Sequence, residues 1–213
     1  MPKITIRNLG PISSIENLEI KDVMVLIGPQ ASGKSTVAKA VYFFESLPNE
    51  VLRFFIEHSF EVESTADTIQ VLKKHLLDIF SLHGHAIKPN TYIHFDFGNG
   101  IEVTLASGNG QKALLELVFS SNLQEAFNEI NSAHNAANKS EKSEFTDVTG
   151  QIGVVKNIII GATSKILLQH FDAIGPIVYV PAGRSVYAFL SDNVFKIANT
   201  SPQTGEFFIY RFF

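Results

Sequence analysis

The stretch from Val23 to Tyr42 constrains this chain more than any other: Val-Met-Val-Leu-Ile-Gly-Pro-Gln-Ala-Ser-Gly-Lys-Ser-Thr-Val-Ala-Lys-Ala-Val-Tyr. Gly28, Gly33, Lys34 and Ser35 fill the fixed places of the pattern G-x-x-x-x-G-K-[ST]. Val23 to Ile27 is an unbroken apolar run, which predicts a strand buried on both faces. After Lys34 the apolar positions Val37, Ala38, Val41 and Tyr42 recur at helical spacing. Strand, glycine loop and helix, in that order, predict a phosphate-binding loop.

The residue types suit that chemistry. Gly28 and Gly33 let the backbone turn sharply and approach an anion with no side chain in the way. Across Pro29, Gln30, Ala31 and Ser32 the main-chain N–H groups can then point inward around phosphate oxygens. The helix that follows adds its unpaired N-terminal N–H groups and the positive end of its dipole. Lys34 is expected to reach the β- and γ-phosphates, and Ser35 to hold Mg²⁺ through its hydroxyl. Thr36, next to the metal ligand, is placed to touch the α-phosphate. The expected ligand of Gly28 to Thr36 is ATP with Mg²⁺.

A chain of 213 residues, of which 45% are hydrophobic, can bury a sizeable core as one domain, with room for an inserted segment. Only 18% of residues are charged and there are 18 Phe, an excess that points to apolar surface meant for another segment or subunit. Cys is absent, which excludes disulfides and thiolate metal sites. No apolar run reaches the roughly 18 residues of a membrane span, and the N-terminus lacks a signal-peptide core. The reading is a cytoplasmic protein without a membrane partner. A net charge of −4 argues against a surface that coats nucleic acid generally.

Ile4 and Ile6 alternate with polar neighbours as in a half-buried strand, Gly10-Pro11 reads as a turn, and Ile12 to Ile20 as a second strand. Pro48 is expected to break the first helix, with a buried helical segment over Glu50 to Phe60. Ser64 to Asp67 carries a capping signal before an amphipathic helix ended by Gly84. Thr91 to Phe97 and Ile101 to Ala106 flank Gly98-Asn99-Gly100, a hairpin signal. Leu114 to Phe119 fits strand or helix. Residues 120–150 are polar and read as an insertion, with a weak helical stripe at Leu123, Phe127 and Ile130 and a loop over Asn138 to Gly150. Gln151 to Phe171 is apolar at helical spacing, Ile177 to Val180 reads as a short buried strand, and Ser185 to Leu190 and Thr204 to Phe213 as helices.

The opening residues carry a resemblance. Lys3-Ile-Thr-Ile-Arg-Asn-Leu-Gly-Pro-Ile12, then Leu18-Glu-Ile20, then Val23 to Ser35, is similar to the start of the ATP-binding-cassette heads of RecF, the structural-maintenance-of-chromosomes proteins and the OLD-type nucleases. Leu9 stands where those heads often have an aromatic residue, and Gln30 where Asn is common. The resemblance is detailed over residues 3–46, weak through the middle, and returns at Tyr179-Val-Pro-Ala-Gly-Arg-Ser185. It implies an α/β fold of the P-loop NTPase type: a mixed β-sheet with flanking helices and an antiparallel hairpin subdomain beside the nucleotide. It also implies that the base lies near Arg7 and Asn8, which could equally be solvent-facing residues at a strand end. No aromatic residue precedes Tyr42, so the upstream ring that stacks on adenine in transporter cassettes has no counterpart.

Three further candidates stand outside the loop. Arg184 follows a strand end, where ligands of parallel sheets collect, and could contact a phosphate or a partner subunit, or form a structural ion pair. Asp96 mimics the acidic metal site of nucleotide hydrolases, but its period-2 surroundings read as a hairpin strand shared with Tyr92 and His94. His83, His85, His94 and Asp96 match no tight metal spacing.

Hydrolysis in the resembling family needs an Asp-Glu strand end and a Ser-Gly-Gly segment, and neither occurs here. The expectation is therefore that residues 1–213 form the N-terminal lobe of a longer ATPase head. Such a lobe would bind ATP, pair head to head through nucleotide, and act on DNA or in phage defence once completed. A small-molecule or nucleotide kinase is the alternative from length and loop sequence. A non-catalytic module that uses nucleotide only for folding is a third.

Overall fold

The computed structural model describes residues 1–57, 65–82, 87–108, 115–140, 148–171 and 177. Five strands and four helices follow in the order β1 (Lys3–Leu9), β2 (Ile12–Glu19), α1 (Lys34–Glu57), α2 (Thr65–Leu82), β3 (Ile87–Gly98), β4 (Ile101–Ser107), β5 (Leu115–Phe119), α3 (Ser121–Ser140) and α4 (Val148–His170). The strands form one sheet in the order β2-β1-β3-β4-β5.

Alternation sets the register. Ile4 lies opposite Phe95, Phe95 opposite Val103, and Val103 opposite Phe119. Ile6, Ile93, Leu105 and Leu117 make a second row in the same way. All eight side chains are buried, so each cross-strand row adds to one apolar face. The opposite face carries Arg7, Tyr92, His94, Thr104 and Glu116, half-buried or exposed. The hairpin between β3 and β4 turns through Gly98, Asn99 and Gly100, all with positive φ, as the Gly-Asn-Gly signal requires. Asp96 accepts a hydrogen bond from the Gly98 N–H at 2.7 Å and so serves that turn.

The helices cover the apolar face. Phe44 of α1 stacks on Phe95 with ring centroids 5.0 Å apart and planes 11° from parallel. Phe43 meets Phe80 of α2 edge-on at 5.0 Å, and Phe119 of β5 meets Phe127 of α3 edge-on at 5.0 Å. These rings account for much of the Phe excess as core.

Several expectations are corrected. Instead of the mixed sheet of a P-loop fold, every strand pairing among the described residues is antiparallel. Val23 to Ile27 belongs to no strand, and Val23, Val25 and Ile27 are 81%, 76% and 91% exposed. An unbroken apolar run reports that a segment can fill a doubly covered strand position; it does not supply the neighbours, and here neither edge strand, β2 or β5, pairs with it. Pro48 does not end α1. Its missing N–H and its ring disfavour the helix by about 3 kcal/mol, but Phe43, Phe44, Leu47, Val51, Phe54 and Phe55 are buried on either side of it and hold the helix continuous. In the stretch read as an insertion, α3 buries Leu123, Ala126, Phe127 and Ile130 in the core. The loop expected over Asn138 to Gly150 is helical at 138–140 and 148–150.

Leu115–Phe119 resolves as a strand. Ser64, Gly84, His83, His85, Arg184, residues 178–180 and the helices expected after Ser185 lie outside the described residues. No helix among the described residues is long and apolar enough to cross a membrane.

Candidate phosphate-binding site

The loop Gly28 to Gly33 closes on itself and then opens α1. Two backbone conformations make the bend: Gly33 has φ of 93° and Ala31 φ of 61°. The left-handed region is open to glycine but costs a residue with a side chain about 1–2 kcal/mol, so Ala31 is a point of strain within the loop. A Cβ on Gly28 would come within 3.1 Å of the Ser32 Oγ, so the two arms of the bend approach closely and a larger residue at 28 would require the Ser32 hydroxyl to shift.

Lys34 fastens the bend. Its ammonium donates hydrogen bonds to the carbonyl oxygens of Gly28 at 2.8 Å and Pro29 at 2.5 Å, and to the Ser32 Oγ at 3.3 Å. The cation therefore lies inside the curl of its own loop rather than extended into solvent. The first helical bond of α1 runs from the Val37 N–H to the Gly33 carbonyl at 2.9 Å. The N–H groups of Lys34, Ser35 and Thr36 precede it and belong to the turn whose donors have no intrahelical partner. No acidic residue sits in that first turn, so no carboxylate of α1 competes for its positive end. Gly28 to Ser32 and Ser35 are exposed, while Lys34 and Thr36 are half-buried. Ammonium, hydroxyls and helix N-terminus converge on an accessible surface, an arrangement suited to a polyphosphate.

The turn between β1 and β2 supports this loop from below. A Cβ on Gly33 would meet the Ile12 Cγ1 at 2.7 Å and the Pro11 Cγ at 3.3 Å. A Cβ on Gly10, which has φ of 53°, would stand 3.8 Å from the Thr36 side chain. From the sequence, Gly10-Pro11 reads as a turn and nothing more. Its contact with the loop is long-range, and the nearest sequence signal was the turn dipeptide itself.

Arg7 and Asn8 are near the loop in sequence register but engaged elsewhere. Arg7 makes two hydrogen bonds to Glu16, at 2.8 Å and 2.9 Å, and lies 5.4 Å from the centre of the Tyr92 ring. Hydrogen bonds from Arg7 and then from Ser14 hold the Glu16 carboxyl down at about 2, and the same Glu16 contact raises the Arg7 guanidinium. Asn8, with φ of 55°, donates to the Asn90 carbonyl at 3.2 Å, and its own carbonyl accepts from the Thr91 hydroxyl at 2.6 Å. Both residues tie β1 to its neighbours. His94 bonds the Thr104 hydroxyl at 3.0 Å. Among the described residues no three His, Cys, Asp or Glu side chains gather as a metal site.

Compared with known proteins, the chain matches no family model, no curated protein and no solved structure.

Proposed function

We propose that this chain binds ATP–Mg²⁺ through Gly28 to Thr36 and serves as the nucleotide-binding lobe of an ATPase of the RecF and OLD type. The observation that carries the binding reading is the position of Lys34, folded back onto the Gly28 and Pro29 carbonyls at the mouth of a helix N-terminus. A lysine held there presents its charge to the β- and γ-phosphates, while the main-chain N–H groups at the start of α1 take the oxygens and Ser35 the metal. Bound ATP would supply the transferable γ-phosphoryl group. The protein's part is to hold the tail and to neutralise its charge.

The resemblance over residues 3–46 supports the wider reading: a head that pairs with a second head through nucleotide, in a protein that handles DNA or defends against phage. Asp-Glu and Ser-Gly-Gly elements are absent from the sequence, so this chain alone is expected to bind nucleotide and to hydrolyse it poorly.

A nucleotide series tests the grip on the tail. With Mg²⁺ present, calorimetry should give measurable affinity for ATP and ADP, and affinity for AMP weaker by at least about tenfold, because the loop and helix N-terminus recognise terminal phosphates. Equal affinity for AMP and ATP would place recognition on the nucleoside and remove the reading.

A further inference from the structure

The widest irregularity in the sheet lies between β1 and β3. Between the pairs Arg7–Tyr92 and Leu9–Ile87, β1 has one residue, Asn8, and β3 has four, Lys88 to Thr91. A bulge of this kind bends its strand and re-aims what adjoins it. Asn8 and Asn90 both take the left-handed backbone there, with φ of 55° and 60°.

Two buried hydroxyls close the bulge. The Thr91 N–H donates to the Ser107 Oγ at 2.9 Å, and the Ser107 hydroxyl donates to the Lys88 carbonyl at 2.8 Å. The Lys88 N–H donates to the Thr91 Oγ1 at 3.0 Å, and the Thr91 hydroxyl donates to the Asn8 carbonyl at 2.6 Å. Each hydroxyl thus accepts one bond and gives one. Thr91 and Ser107 are buried, while Lys88, Pro89 and Asn90 are exposed. An interior polar network whose members are all paired holds one geometry. Removing a hydroxyl from it strands the groups that it bonded.

The far end of this network is the main chain of Asn8. Two residues on, β1 enters the Gly10-Pro11 turn, and Leu9 pairs with Ile12 across it. That turn is the bed of the phosphate loop, since a Cβ on Gly33 would meet the Ile12 Cγ1 at 2.7 Å and the Pro11 Cγ at 3.3 Å. We infer that Thr91 and Ser107 are positioning residues for the loop Gly28 to Gly33, acting through Asn8 and the turn on which Gly33 rests. The link itself belongs to the fold; its effect on affinity rests on the nucleotide reading above.

Amide NMR of the full chain, first without nucleotide, tests the link. Thr91→Val keeps the shape of the side chain and removes the hydroxyl. It should move the Gly33 and Lys34 amide signals, and Thr91→Ser should restore them. Thr104→Val, which removes the hydroxyl bonded to His94, should leave them in place. With ATP–Mg²⁺ added, Thr91→Val should bind at least about fivefold more weakly than the unaltered chain, and Thr91→Ser equally well. Loop signals that stay in place in a folded Thr91→Val overturn the inference, because the hydroxyl then serves local stability alone. Signals that move as much in Thr104→Val overturn it too, and so do moved signals with unchanged ATP affinity. If the unaltered chain does not bind ATP–Mg²⁺, the nucleotide reading fails, and the loop signals still decide the link. Should Thr91→Val not fold, Ser107→Ala decides it on the same signals.

Discussion

The Lys34 ammonium lies 2.8 Å from the Gly28 carbonyl oxygen, joining the two ends of the loop they bound. The contact gives the loop a closed shape before any ligand arrives. On the proposed reading, a phosphate tail would meet donors already gathered, with little ordering left to be done on binding. Two neighbours are needed for that shape: Ser32, which narrows the bend against Gly28, and the turn at Gly10 and Pro11, on which Gly33 rests.

Gly33→Ala separates backbone strain from contact. Gly33 and Gly98 have similar φ, 93° and 87°, but a Cβ on Gly98 meets nothing within 4 Å, whereas one on Gly33 meets Ile12 at 2.7 Å. Both alanine variants should lose about 1 kcal/mol from the left-handed backbone. Gly33→Ala should lose more and should weaken nucleotide binding at least about tenfold, while Gly98→Ala binds normally. Equal effects in thermal unfolding and calorimetry would remove the turn-to-loop contact from the account.

Glu45 on α1 gives a pH-dependent test of the core. Burial pushes its carboxyl above the usual range, so the folded state favours the protonated form. Its contribution is most favourable below the unfolded value and declines as pH rises through the folded one. Glu45→Gln, which is neutral throughout, should raise the melting temperature at pH 7 and leave it unchanged near pH 4. An equal shift at both pH values would assign the effect to something other than charge.

Glu16 behaves in the opposite sense. Its carboxyl is held at about 2 by Arg7 and Ser14, against an ordinary 4.5. Whatever the Arg7 pair contributes is present above pH 4.5 and is lost as pH falls toward 2. The pair is exposed, so the effect is small and screened by salt. Acid unfolding of Glu16→Gln beside the unaltered chain should show a gap near pH 6 that closes by about pH 2. A gap that persists at pH 2 would mean that Glu16 acts through packing.

The strands and helices were legible where one short-range pattern decided them. Ile4 and Ile6, the Gly98-Asn99-Gly100 hairpin and the helix after Lys34 are of this kind, because alternation, turn chemistry and helical spacing are local. Val23 to Ile27 was misread because an apolar run reports capacity for burial, and burial depends on partners elsewhere in the chain. Pro48 does not break the helix because its local cost is outweighed by the buried Phe residues that hold α1 on both sides of it. The proposed site is named from residue types alone, Gly28 through Thr36. Its support by Gly10, Pro11 and Ile12 was not legible, because nothing in the sequence links a turn to a loop more than fifteen residues on.

The central claim rests on one cation and one curl of main chain. Calorimetry of ATP–Mg²⁺ against the unaltered chain and Lys34→Ala, with folding of both checked by circular dichroism, tests it most directly. Binding to the unaltered chain, weakened by at least about 100-fold in Lys34→Ala, is the result this account predicts. Equal affinity in the two folded proteins would contradict it.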